Sequence, residues 1–185
     1  MGFDSETAFE SALIKCLVEE KGWKDGVIKY PTEKDLLDNW AKIIFENNRD
    51  IDRLGDFPMT DGEMAQIMGQ IAKLRTPLNL NGFINGGTVQ IIRDNENDTH
   101  NFKKTISLKI FDRNEIAAGR THYQIAQQPK FKAKNSIYPN RRGDFCLLIN
   151  GMPVIHVELK KSNVPVSEAQ YQICLLYTSD AADDR

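Results

Sequence analysis

The chain has 185 residues, 41% hydrophobic and 27% charged, with a formal net charge of -2, an ordinary composition for one globular domain with its own core. The charge excludes a protein that coats nucleic acid through bulk positive charge. No stretch approaches the ~18 apolar residues of a membrane span, and the opening "MGFDSETAFE" lacks the basic region and apolar core of a signal peptide; a cytoplasmic protein with no membrane partner is expected.

A first helix is predicted from about Ser5 to Glu20, with Asp4 or Ser5 as N-cap, acids in its first turn, and Phe9, Leu13, Cys16 and Leu17 on one face. Gly22 stops it. A second runs from about Glu33 to Asn47 with Leu36, Leu37, Trp40, Ile43 and Ile44 inward. A third opens at Thr60-Asp61-Gly62-Glu63, a capping box, and carries Met64, Ile67, Met68, Ile71 and Leu74 as a core stripe until Thr76-Pro77 ends it. Beyond Pro77 the period changes from helical to alternating. Residues 88–92, 105–110, 122–127, 145–149 and 154–160 read as strands, followed by a new helix start at Ser167. Helices first and then a mostly antiparallel sheet give an α/β (α+β) sandwich, one domain over 1–173.

Few of the other residues suggest chemistry. Cys16, Cys146 and Cys174 are far apart with no CxxC pair, which fits neither a disulfide framework nor a zinc site. His100, His122 and His156 have no metal spacing, and Gly82, Gly86 and Gly87 form no nucleotide-binding pattern and read as turn formers. Charge is uneven, however: residues 101–142 hold ten Lys and Arg against two acids. Such a basic run suits a phosphate backbone, and equally a solvated charged face.

The segment "GDFCLLINGMPVIHVELKKS", residues 143–162, sets charges at the end of an apolar, β-branched run. Asn150-Gly151 between apolar stretches is a strong hairpin signal. With a two-residue turn Asp144 would face Val157, and Asp144 and Glu158 would point to opposite faces of the sheet. A three-residue turn of Asn150, Gly151 and Met152 instead sets Ile149 opposite Pro153 and Asp144 opposite Glu158, with Cβ atoms roughly 5 Å apart; the hairpin is therefore expected to have a turn of odd length or to contain a bulge. Alternation then places Lys160 beside Glu158, while Ile155, Val157 and Leu159 turn into the core. Two carboxylates at that distance do not both ionise comfortably without a cation between them. Hard oxygen ligands with room for water suit magnesium, and Lys160 is placed to orient a water and steady developing charge. The bland alternative is a surface Glu and Lys pair with an unrelated Asp.

From Asn140 to Ile173, "NRRGDFCLLINGMPVIHVELKKSNVPVSEAQYQI" resembles the nuclease segment of the restriction (R) subunit of type I restriction-modification enzymes, a PD-(D/E)xK nuclease. The shared features are the Asp, the NG-P turn, the ELK, and a Gln twelve residues after the Lys. The helical opening and "THYQIAQQPKF" follow the same order as that family's N-terminal domain. The resemblance implies a restriction-endonuclease-like fold, Asp144 and Glu158 as metal ligands, Lys160 as catalytic lysine, and Gln172 as the Gln of a Q-x-x-x-Y element. Leu176 stands where the matching Tyr would be, and Gly143 occupies the Pro slot of the signature. Glu6 and Glu10 read as solvated N-terminal acids, the alternative being a further acid that such nucleases bring near the metal. Arg141, Arg142 and Lys161 are the expected DNA contacts.

The resemblance further implies magnesium-dependent hydrolysis of double-stranded DNA, in a parent that also uses ATP for a motor absent from this chain and acts with modification and specificity subunits. Two other readings are a stand-alone nuclease of repair or resolvase type, and an inactive module that only docks DNA or protein. Residues 174–185, beginning "CLLYTSDAADD", resemble the translation of a transposase adapter used in preparing sequencing libraries, and are expected to be foreign to the fold. Such a tail has no evolved packing partner. Deleting residues 174–185 should therefore leave the melting temperature within about 2 °C by calorimetry, since surface changes are usually within about 0.5 kcal/mol; a large drop would make the tail part of the fold.

Overall fold

A computed structural model describes residues 5–50, 52–74, 76–112, 114, 119–131, 141–160 and 165–171. The chain forms two compact units rather than one: residues 1–35 with 123–185, and residues 36–122 between them.

The first unit contains α1 (Glu6–Glu20), β1 (Val27–Lys29), β4 (Tyr123–Gln127), β5 (Lys130–Phe131), β6 (Arg141–Arg142), β7 (Phe145–Ile149) and β8 (Met152–Val157). Residues 166–171 are helical, as the start predicted at Ser167 leads one to expect. Four strands make a mixed sheet in the order β1-β4-β7-β8, with β1 parallel to β4 and the other neighbours antiparallel. β1 escaped the sequence reading because its three residues are too few to show a period. Ser5 caps α1, its hydroxyl accepting from the Ala8 N–H at 3.1 Å. The helix lays Ile14 against Ile125, Phe145, Leu147 and Leu159, with Phe9, Leu13, Leu17 and Val18 packed around them. This core holds one face of the sheet to α1. The result is a mixed α/β unit of the restriction-endonuclease-like kind.

The second unit holds α2 (Glu33–Asn47, from residue 36 onward), α3 (Asp61–Ile71), α4 (Pro77–Ile84), β2 (Thr88–Ile92) and β3 (Thr105–Lys109). β2 and β3 pair only with each other, so the strands read from the sequence do not all join one sheet. The capping box at Thr60 and Glu63 is present. A separate α4 follows it, with Thr76 as N-cap and Pro77 in its first turn: the pair that ends one helix starts the next, because a proline needs no N–H bond at that position. Met64 and Ile67 are buried, whereas Met68 is exposed, as is Leu37 in α2; the apolar stripe is wider than the face each helix covers. Gly87 has Phe83 so close that a Cβ there would meet the ring at 2.3 Å, which explains the glycine.

Arg93 lies in this unit and is fully sealed. Its guanidinium bonds both Glu63 oxygens at 2.9 and 2.7 Å, Asp98 at 2.9 Å, and the carbonyls of Pro58 and Phe57. Removing one partner of such a network leaves an uncompensated buried charge, at a cost of about 3–5 kcal/mol. Arg93→Ala should lower stability by that amount in urea unfolding. Arg49→Ala, which breaks the exposed pair with Asp56, should cost less than about 1 kcal/mol.

Candidate active site

The hairpin between β7 and β8 builds the site. Asn150 and Gly151 sit at φ of 50° and 82°, and Ile149 pairs with Met152, so the turn has two residues of the primed kind that matches strand twist. The three-residue turn expected from the sequence is therefore absent. The parity it was meant to supply comes from elsewhere. Leu147 pairs with Ile155 but Leu148 pairs with Pro153, which leaves Val154 as an extra residue in β8, a bulge. Beyond it Phe145 pairs with Val157, and one further step sets Asp144 opposite Glu158. Val157 and Leu159 face the core, but Ile155 is 50% exposed. It lies on the edge strand next to the bulge, where little covers it.

Asp144 and Glu158 hold each other in place. The Asp144 carboxylate accepts the Leu159 N–H, and the Asp144 N–H stabilises the Glu158 carboxylate in turn. Lys160 Nζ is 3.6 Å from Glu158 Oε1, with side chains 15% and 9% exposed. Burial pushes the Asp144 carboxyl above its ordinary value, and the charges of Glu10 and Glu6 add to this, against the Leu159 N–H and Lys160. Glu158 is raised as well, by burial first and the Asp144 charge second, against Lys160. Glu158 Oε2 is buried and has no hydrogen-bond partner among the described residues. A buried carboxylate oxygen with no donor is the kind of group that a cation satisfies.

His156 Nε2 lies 3.7 Å from the same oxygen, and burial holds the imidazole below its ordinary value. The ring also explains Gly143. A Cβ at that position would come within 2.6 Å of His156 Nε2, so the slot that carries Pro in the signature admits only glycine here unless the imidazole moves.

Glu10 is the residue that sequence reasoning misplaced. It is 4% exposed rather than solvated, and its charge reaches Asp144. The missed signal was its phase on α1: it follows Phe9 and lies four residues before Ile14, on the side that meets the sheet. Gln127 donates to Glu10 Oε1 at 2.7 Å, and Gln128 to both oxygens at 3.3 and 3.1 Å. Among the described residues no three His, Cys, Asp or Glu side chains converge closely enough to hold an ion unaided. The oxygen set at Asp144 and Glu158 fits magnesium, which commonly takes one or two carboxylates and draws its other ligands from water and substrate.

The expected DNA contacts are only partly described. Arg142 is exposed on β6 directly opposite Lys130, itself exposed and near the Tyr30 ring. Arg141 pairs by register with Phe131. Lys161 and Gln172 lie outside the described residues, as does the segment 174–185. The basic run of residues 101–142 is shared between the two units, and Lys109 pairs with Asp112 at 3.6 Å. His100 is bonded to Asn101. Cys146 is a buried free thiol whose pKa burial pushes up to about 11, which leaves it inert near neutral pH. No helix among the described residues is long and apolar enough to cross a membrane.

Residues 4–182 match the family described as type I restriction enzyme R protein N terminus. The chain is 28% identical over 177 residues to the type I restriction enzyme SsaAORF53P endonuclease subunit of Staphylococcus saprophyticus, covering 94% of this chain and 16% of that protein. It is 27% identical over 175 residues, with the same coverage, to the type I restriction enzyme SauCOLORF180P endonuclease subunit of Staphylococcus aureus. The chain thus spans 16% of the length of these relatives.

With both carboxyls raised, Asp144, Glu158 and Glu10 repel one another whenever no cation is present, and Asp144→Asn keeps an oxygen for the Leu159 N–H while removing one charge. At pH 7–8 in a chelator, Asp144→Asn should raise the melting temperature by a few degrees. A folded-state pKa above the unfolded value means that this destabilisation is relieved as the carboxyl protonates, so the difference should shrink toward pH 4. An unchanged or lowered melting temperature at pH 8 would show that the carboxylates are not in conflict.

Proposed function

The chain belongs to the type I restriction enzyme R protein N-terminus family, and from that premise we propose that it is the nuclease domain of a restriction R subunit, hydrolysing phosphodiester bonds of double-stranded DNA with magnesium. The observation that carries the reading is the buried, unpartnered Glu158 oxygen beside Asp144 and Lys160. Asp144 and Glu158 would hold the ion. When bound, it supplies charge neutralisation at the phosphate and makes a water more acidic. Lys160, braced against Glu158 Oε1, presents its ammonium to the same point; it orients the attacking water and compensates charge that develops on the phosphate oxygens. Gln172 is assigned to the same site from the family motif.

Arg142 and Lys130 form a like-charge pair directly across β5 and β6, an arrangement that is unfavourable unless an anion lies over it. β6 leads into Asp144 through Gly143 alone, so a DNA backbone resting on that pair would be led toward the carboxylates. Arg141 and Lys161 extend the proposed contact. The full-length protein is proposed to add an ATP-driven motor and to work with modification and specificity subunits in the cytoplasm. Family membership favours this over a stand-alone nuclease, and a retained Asp144, Glu158 and Lys160 favour catalysis over simple docking.

The test is made in the full-length parent. Asp144→Ala, Glu158→Ala and Lys160→Ala should each reduce DNA cleavage at least a hundredfold, because loss of one metal contact or one transition-state charge is worth about 3 kcal/mol. ATP hydrolysis and DNA binding should persist. Cleavage by all three variants at near-normal rates would overturn the nuclease assignment.

A further inference from the structure

Consecutive residues of a strand point to opposite faces of the sheet. Gln127 and Gln128 do not: both carboxamides reach the one carboxylate of Glu10. The reason is the backbone of Gln128, at φ 50°, in the left-handed region that a residue with a Cβ avoids at a cost of about 1–2 kcal/mol. That conformation turns the chain just past β4 and swings the second carboxamide onto the face of the first. Gln128 is also tied to the site through its main chain, its N–H bonding the Asp144 carbonyl at 2.7 Å.

Glu10 gains an unusual environment from this. It is a buried acid whose hydrogen-bond donors among the described residues are neutral. Carboxamide N–H groups accompany a carboxylate without cancelling its charge, as an Arg or Lys would, so the charge remains available to Asp144, which feels it. Glu10 is too far from Asp144 and Glu158 for the three to form a direct cage, but groups just outside a set of ligands orient them and tune what they bind.

We infer that Gln127 and Gln128 form a carboxamide clamp that positions Glu10 as an outer acid of the Asp144 and Glu158 site, strengthening its hold on a divalent cation. Gln128 is the positioning residue that the left-handed backbone exists to place. The inference rests on the metal-binding reading of that site. It differs from a plain structural role in one respect: a merely structural Gln128 would, when replaced, change the melting temperature and leave the cation affinity of the folded chain unaltered.

The experiment is a calorimetric titration of the 185-residue chain with Mn2+, alongside thermal melts in a chelator. Gln128→Gly should still melt as a folded chain and yet weaken Mn2+ binding about tenfold, the usual loss when a group orienting metal ligands is removed. Gln128→Asn, which tolerates the same backbone and keeps a carboxamide, should recover part of that affinity. Asp144→Ala should abolish binding. If Gln128→Gly binds Mn2+ as tightly as the unsubstituted chain while Asp144→Ala does not bind, the clamp is overturned and the metal site stands. If Asp144→Ala binds normally, the metal reading falls and the clamp with it.

Discussion

One unpaired residue, Val154, decides what the hairpin can do. Strand pairing has a period of two, so a two-residue turn in perfect register would put Asp144 opposite Val157 and send the two carboxylates to opposite faces. The twist of the strands demands a turn of that length, and Asn150 and Gly151 supply the two left-handed residues it needs. The proposed site needs the other parity. A bulge reconciles them, since an inserted residue shifts register by one while leaving the turn untouched. Because β8 is the outer strand of the sheet, the insertion disturbs only one ladder.

That register then brings groups together that the fold would be more stable without. Phe145, Leu147 and Leu159 belong to the core under α1, and Asp144 and Glu158 are held where that core ends. Their carboxyls are dried by the same packing that orders the strands. Burial is accordingly the largest influence on both. The backbone offers partial relief through the N–H groups of Leu159 and Asp144, and Lys160 offers more, yet one Glu158 oxygen stays without a donor. On the proposed metal-binding reading, cation affinity and cation-free stability would be opposed in this unit, a conflict expected where a site is built for a ligand.

Much of this was legible in the sequence, and the failures have physical causes. Helices α1 to α3 and the strands at 88–92 and 145–149 announce themselves by period and caps, because amphipathic burial is a local pattern. The pairing of Asp144 with Glu158 was legible as a requirement of parity, to be met by an odd turn or a bulge, but not which of the two: a bulge at Val154 leaves no mark, since Pro153 and Val154 suit a strand either way. β1 was invisible because its order comes from β4, some hundred positions away in the chain, rather than from its own residues. Glu10 was misjudged for a related reason. An acid in the first turns of a helix normally faces solvent near the positive end of the dipole, and that expectation hid a phase on α1 which the tertiary meeting with Gln127 and Gln128 makes plain.

The same long-range dependence governs how the site is assembled. The unit that carries Asp144 and Glu158 is made from the two sides of an insertion, residues 1–35 and 123 onward, with a whole second unit between them. Such an arrangement is tolerable because loop-closure entropy grows only with the logarithm of the loop, about 0.6 kcal/mol per doubling. What it requires is an unambiguous point of return. Tyr123 provides it: its N–H bonds the Asp25 carboxylate at 2.7 Å, its carbonyl accepts the Asp25 N–H at 3.1 Å, and its ring meets Trp23 edge-on at 5.4 Å. The next hydrogen bond, from the Ile125 N–H to the Gly26 carbonyl at 3.0 Å, sets β4 in register with β1. A slip of one residue there would reverse the faces of β4 and carry Gln127 away from Glu10. The arrangement around Asp144 therefore depends on contacts at Asp25 and Tyr123 that touch neither Asp144 nor Glu158.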